Sequence, residues 1–137
     1  MSTPEPFAVL GKAGSQPSKT LDTFAAPLGR AAGDASPVQW VEFAGEELTA
    51  FCPVTHQPDF YEFVIGYAPG RLCVESKSMK LYLQSYRDEG MFAEALADKI
   101  AKDIMAAIQA QRVLVILKQK VRGGLTLTVT AEEGEHA

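Results

Sequence analysis

Between Phe92 and Gln111 the apolar residues Leu96, Ile100, Ile104, Ala107 and Ile108 recur at helical spacing, and immediately afterwards the pattern changes period. That spacing puts the five side chains on one face of a helix and leaves Lys99, Lys102 and Asp103 off the stripe. Val113 to Leu117 (VLVIL) is then an apolar β-branched run, and Leu125 to Thr130 (LTLTVT) alternates strictly, with Gly123-Gly124 between them. Those two runs read as paired strands.

The first half repeats the theme. Val38 to Phe43 is strand-like, with Val38, Trp40 and Glu42 on one face and Val41 and Phe43 on the other. Residues 51–59 (FCPVTHQPD) hold two prolines and no period, which predicts a loop. Tyr61 to Tyr67 (YEFVIGY) is β-rich, and Ala68-Pro69-Gly70 reads as a turn. Ser78 to Arg87 reads as a short helix that Gly90 helps to end. The order is β-β-α-α-β-β. It predicts an α+β layer: a four-stranded antiparallel sheet with both helices on one face. Such a sheet has exposed edges, which are hidden or shared with other subunits. Residues 1–35, rich in Pro, Gly, Ser and Ala, read as an arm, 36–131 as the folded domain, and 132–137 as an acidic tail.

The chain has 137 residues, enough for one domain with a real core. Formal net charge is −4, and the densest basic cluster is Lys118-Gln119-Lys120-Val121-Arg122. That is too little to track a nucleic acid, so a nucleobase ligand is expected as a free small molecule. No signal peptide opens the chain and no apolar run nears the ~20 residues of a membrane span, so a cytoplasmic setting is expected. Cys52 and Cys73 are then thiols. With His56 and His136 they show no ligand spacing, so no metal site is expected.

Cys52 lies in the proline-bounded loop, where it is either a nucleophile or a small buried hydrophobe. Asp59, after Pro58, is either a proton donor or a turn residue. Glu75-Ser76-Lys77-Ser78-Met79-Lys80 gathers two lysines and two hydroxyls where a strand meets a helix. Helix amides, hydroxyls and ammonium groups together suit a phosphate, and a capped helix start with solvated lysines is the alternative. Glu94 is either a favourable first-turn acid or a ligand anchor. Cys73 reads as structural. Arg122-Gly123-Gly124 is either a hairpin turn or an Arg reaching an anion.

Two of these stretches are specific. Cys52-Pro53-Val54-Thr55-His56-Gln57-Pro58-Asp59-Phe60 resembles the C-P-V-T-x-Q-P-D-F signature of the NADPH-dependent 7-cyano-7-deazaguanine reductases, and Val74 to Leu83 (VESKSMKLYL) resembles their V-E-S-K-S-x-K-L-Y-L motif. Phe92-x-Glu94, Arg122-Gly123-Gly124, Leu10-Gly11 and Leu21-Asp22-Thr23-Phe24 match further along the chain. The resemblance implies the tunnelling fold, in which single-unit members build barrels from several subunits, often a decamer of two stacked five-membered rings, with active sites between neighbours. It implies that Cys52 adds to the nitrile carbon as a covalent thioimide and that Asp59 donates the proton, which asks for a buried carboxyl. NADPH then delivers two hydrides, giving 7-aminomethyl-7-deazaguanine, a queuosine precursor for tRNA. Lys77, Ser78, Lys80 and Arg122 would bind NADPH. Val74, Glu75, Ser76 and Glu94 would hold the deazaguanine.

One departure stands out. The family reads F-H-E where this chain has Phe92-Ala93-Glu94, so Ala93 occupies a substrate-side position that a histidine normally fills. His56 stands where glycine is common. The reading preferred is an active, divergent reductase in which His56 or water takes the histidine's part. An engineered variant and a paralogue of altered chemistry are the alternatives. An amidine-forming relative that uses ammonia, and a non-catalytic deazaguanine-binding protein, are the competing functions. The intact lysine motif and the Cys52/Asp59 pair argue against them.

Overall fold

The computed structural model describes residues 7, 8 and 16–135; the Leu10-Gly11 match and His136 lie outside them. Six strands and two helices follow in the order β1 (Thr23–Ala25), β2 (Val41–Phe51), β3 (Pro58–Ala68), β4 (Leu72–Val74), α1 (Ser76–Gln84), α2 (Ala93–Ile108), β5 (Arg112–Arg122) and β6 (Leu125–Gly134), with a 3-10 turn at Ser85–Asp88. β2, β3, β5 and β6 form one antiparallel sheet in that spatial order. The expected β-β-α-α-β-β unit is present.

Alternation along β3 divides the sheet. Asp59, Tyr61, Ile65 and Tyr67 are buried on the side that carries the helices. Val113, Val115 and Leu117 of β5 are buried beside them. α2 crosses β5 and β6 and sinks Leu96, Ile100, Ile104 and Ile108 into this layer. Each such side chain contributes about 1.5–3 kcal/mol on burial, so the stripe read from the sequence is the main adhesive of the helix layer.

Four boundaries differ from the sequence reading. α1 starts at Ser76, two residues early, because the Glu75 carboxylate accepts the backbone N–H groups of Lys77 (2.7 Å) and Ser78 (2.8 Å) and so caps the helix. α2 stops at Ile108 because Gln109 turns left-handed, with φ of 48°. The predicted 51–59 loop is shorter: Phe51 still belongs to β2, and Pro58 and Asp59 already belong to β3. β6 runs on to Gly134 and takes in the first residues of the acidic stretch.

The arm also holds regular structure that had no period to reveal it. β1 pairs with β4 in a two-stranded ribbon. Glu75 N–H donates to Asp22 O, and the Ser78 hydroxyl accepts from Asp22 N–H at 2.9 Å. The arm is thereby tied to the start of α1. Among the described residues no helix is long and apolar enough to cross a membrane.

Candidate active site

Two irregularities in the sheet aim the chemistry. Up to Gly45, β2 faces β3 in one register; from Leu48 onward the register has slipped by one residue. Leu48 lies opposite Tyr61, and Ala50 opposite Asp59, all on the helix side. β5 and β6 slip likewise between Gln119 and Arg122, so that Arg122 pairs with Leu125. A bulge of this kind re-aims the residues beyond it to the other face. Without the two slips, Ala50 and Arg122 would turn away from Asp59.

Cys52 follows β2 directly, half-buried and reduced. Its N–H donates to Gln57 O at 2.8 Å and its carbonyl accepts from His56 N–H at 2.9 Å, closing the turn. His56 takes the left-handed backbone this requires, with φ of 59°, which explains why a glycine suits the position. The Thr55 backbone N–H and hydroxyl, then the Val54 backbone, hydrogen-bond toward the sulfur and hold the thiol pKa below its ordinary value, with Arg122 adding to the effect. A lowered thiol pKa is what a nucleophile needs.

Asp59 is 6% exposed. Its carboxylate is ion-paired with the Arg122 guanidinium. The other guanidinium nitrogen donates to Thr55 Oγ1 (2.9 Å) and Gln57 Oε1 (3.3 Å). One arginine therefore holds the Asp59 carboxylate and braces the turn that carries Cys52. The anion that Arg122 reaches in this structure is Asp59. Gly123 and Gly124, both at positive φ (61° and 80°), make the tight hairpin that presents it.

The start of α2 is brought alongside by a bridge between Phe51 and Gly90, with Met91 N–H donating to Phe51 O at 3.0 Å. A Cβ on Gly90 would lie 3.0 Å from the Phe51 ring, so the ring would have to give by a few tenths of an ångström to admit one. Ala93 is buried and Glu94 exposed in the first turn of α2, whose cap residue Phe92 supplies no side-chain bond.

The lysine motif sits elsewhere on the chain. Ser76 and Lys80 line a hollow of about 420 Å³ with Phe43 to Glu47, Phe63, Met79 and Leu83. Asp59 and Arg122 line a different one, of about 270 Å³, with Gln57, Phe60 and Val121. Val74 and Glu75 are buried. Ser78 is fully buried, donating to Glu75 O and accepting from Asp22 N–H. Its hydroxyl thus builds the helix start. The amides of Lys77 and Ser78 are likewise taken by Glu75, so anion contact at this helix falls to the ammonium groups.

Apolar side chains around the Cys52 end lie open: Val54, Phe60, Phe92, Val121 and Leu125 are each more than half exposed. Among the described residues no group of three or more His, Cys, Asp or Glu could hold a metal. Two residues that the sequence did not single out belong to the site. Thr55 acts on the thiol. Tyr61 is fully buried two residues from Asp59 on the same strand face. The i, i+2 spacing of Asp59 and Tyr61 was the available signal for the second.

Comparison with known proteins accords with this geometry. A family model described as "QueF-like protein" matches residues 58–137. The NADPH-dependent 7-cyano-7-deazaguanine reductase of Anaeromyxobacter dehalogenans is 43% identical over 123 residues, covering 88% of this chain and 94% of the relative. The enzyme of the same name from Nitrosomonas europaea is 40% identical over 122 residues, covering 86% of this chain and 81% of the relative. A crystal structure of an archaeosine synthase QueF-like protein in the apo form superposes with a TM-score of 0.67 at 24% identity, covering 72% of this chain and 97% of that one, which shows the shared fold. A chain with this fold, these motifs and this degree of identity belongs to the QueF-like family, that of the NADPH-dependent 7-cyano-7-deazaguanine reductases.

Proposed function

We propose that this protein reduces the nitrile of 7-cyano-7-deazaguanine to the primary amine of 7-aminomethyl-7-deazaguanine with NADPH, using Cys52 as nucleophile and Asp59 as proton donor. The observation that carries the reading is that one arginine pairs with a buried carboxyl and also bonds Thr55, the residue that lowers the Cys52 thiol pKa, in a chain of this family. The relatives' names supply the substrate and the cofactor.

A nitrile is a poor hydride acceptor, and covalent addition divides the reduction into easier steps. Cys52 Sγ bonds to the nitrile carbon, one electron pair of the triple bond moves to nitrogen, and the nitrogen takes the proton of Asp59. The product is a neutral thioimide. Bound NADPH supplies hydride twice, so that two hydrides and two protons are added overall. Cys52 leaves as thiolate after the first hydride and is free for another cycle. Arg122, already paired with Asp59, stabilises the carboxylate that remains once the proton is given. Glu94 and Glu75 would hold the base, with Val74, Ser76 and Ala93 beside it. Lys77 and Lys80 would hold the cofactor's phosphates, for which the Lys80 ammonium beside the 420 Å³ hollow is suited.

Within one chain the lysine hollow and the Cys52 end are separate, and a neighbouring subunit is the simplest way to join them. β2 and β6 each have one neighbour among the described residues, leaving edges of 11 and 10 residues to pair with other copies. A homo-oligomer follows, expected as a decamer of two pentameric rings working in the cytoplasm.

The test is to mix protein, 7-cyano-7-deazaguanine and NADPH, and to follow nicotinamide absorbance. Two NADPH should be consumed per nitrile, and Cys52→Ala should abolish this. Without NADPH, intact-protein mass spectrometry should show one substrate adduct. An amidine formed from ammonia, with no NADPH oxidised, would replace this reading with the amidine-forming one; no adduct at all would remove both.

A further inference from the structure

We propose that the Tyr61 hydroxyl is a substrate-facing hydrogen-bond donor of this active site, directed at the nitrogen of the nitrile to which Cys52 adds. The inference rests on the function proposed above and adds to it a residue that neither motif contains.

Tyr61 is fully buried in the middle of the sheet, opposite Leu48 and Gln119. Its hydroxyl is one of two buried side-chain polar atoms that lack a hydrogen-bond partner among the described residues, the other being Arg112 Nε. A hydroxyl taken out of water without a partner costs stability and returns nothing to the free fold. Phenylalanine would fill the same volume without that cost. The position is therefore explained by something that bonds the hydroxyl when the site is in use.

The surroundings say what that is. Asp59 precedes Tyr61 by two residues on the same strand face, so groups reached by one are within range of the other. The charges acting on the phenol are Asp59 first, then Glu94 and Cys52, with Arg122 opposing them. These are the proposed proton donor, base anchor and nucleophile. A ligand that bonds to Cys52 and is held by Glu94 passes beside this hydroxyl.

Burial, with Asp59 and Glu94 nearby, pushes the phenol pKa up to about 12, so the group remains a neutral donor throughout the neutral range. Ala93 offers only a methyl at the start of α2, and His56 is exposed with its ring 6.0 Å from that of Phe51. Tyr61 is thus the buried neutral donor at this end of the sheet. In the free chain its hydroxyl is closed to solvent. Contact with substrate therefore requires the groups that cover it to shift.

The experiment is Tyr61→Phe in the full chain, beside the wild type, with three readouts: thermal midpoint, rate of substrate adduct formation without NADPH, and steady-state NADPH consumption. The midpoint should be unchanged or higher. Adduct formation and kcat should fall about tenfold or more, as for loss of one donor to a developing charge, while KM for NADPH stays the same. If Tyr61→Phe forms the adduct and turns over within twofold of wild type, the proposal is overturned and the reductase reading stands. If activity falls together with the thermal midpoint, the role is structural and the proposal is equally overturned. A wild type that forms no adduct removes the underlying function instead.

Discussion

The Arg122 guanidinium, at the tip of β5, is bonded to the carboxylate of Asp59 at the start of β3 and through its second nitrogen to Thr55. One side chain thus spans Asp59 and the turn that carries Cys52. Arg122→Ala should leave Asp59 buried without its cation and the Thr55 hydroxyl without its donor. The expected result is a loss of about tenfold or more in adduct formation, because a buried carboxylate stripped of its partner is costly and mispositioned. Arg122→Lys should recover only part of this, since an ammonium cannot bond Asp59 and Thr55 through one rigid fork. Mass-spectrometric adduct kinetics measure both.

The thiol of Cys52 should titrate below a free cysteine, chiefly because of Thr55. The thiolate is the reactive form, so alkylation by iodoacetamide should rise with pH and level off earlier than for a free thiol. Thr55→Val removes the hydroxyl and keeps the backbone N–H. Its titration midpoint should move up and its rate at neutral pH should fall. Thr55 is exposed, so stability should change by less than about 0.5 kcal/mol. Cys73, 4% exposed, should stay unmodified in the native protein and serves as the internal control.

Glu75 and Ser78 lock the start of α1 and tie it to the arm. Glu75→Ala removes the cap and should cost about 1 kcal/mol, in the range of other N-cap losses. Ser78→Ala strands the buried Asp22 N–H and should cost about 1–3 kcal/mol. Denaturant midpoints measure these. KM for NADPH in the folded Ser78→Ala protein should remain near the wild-type value, since this hydroxyl is spent inside the fold.

Lys80 is exposed beside the 420 Å³ hollow. If its ammonium meets a cofactor phosphate, Lys80→Ala should raise KM for NADPH by about tenfold or more, the size of one charge-assisted bond. Adduct formation without NADPH should be unaffected. Raised salt should reproduce part of the effect in the wild type by screening.

The stripe from Leu96 to Ile108 and the alternation of Leu125 to Thr130 are legible in the sequence alone, because a helix and a strand each present side chains with a period that is local to the chain. The Cys52 and Lys77 motifs were legible for a similar reason, as short runs with fixed spacing. The faces on which the chemistry lands were not. Two register slips, at Gly45/Leu48 and Gln119/Arg122, turn Ala50 and Arg122 toward Asp59, and a slip is a relation between two strands that neither sequence carries alone. The same holds for Ser78, whose hydroxyl accepts from the Asp22 N–H of the arm, 56 residues away along the chain. It holds for Tyr61, which reads as an ordinary strand residue until the fold encloses its hydroxyl beside Asp59 with nothing to bond. Sequence determined which segments form and which groups are chemically able. Tertiary pairing decided which of those groups find a partner within the fold and which do not, because hydrogen-bond partners lie far apart along the chain.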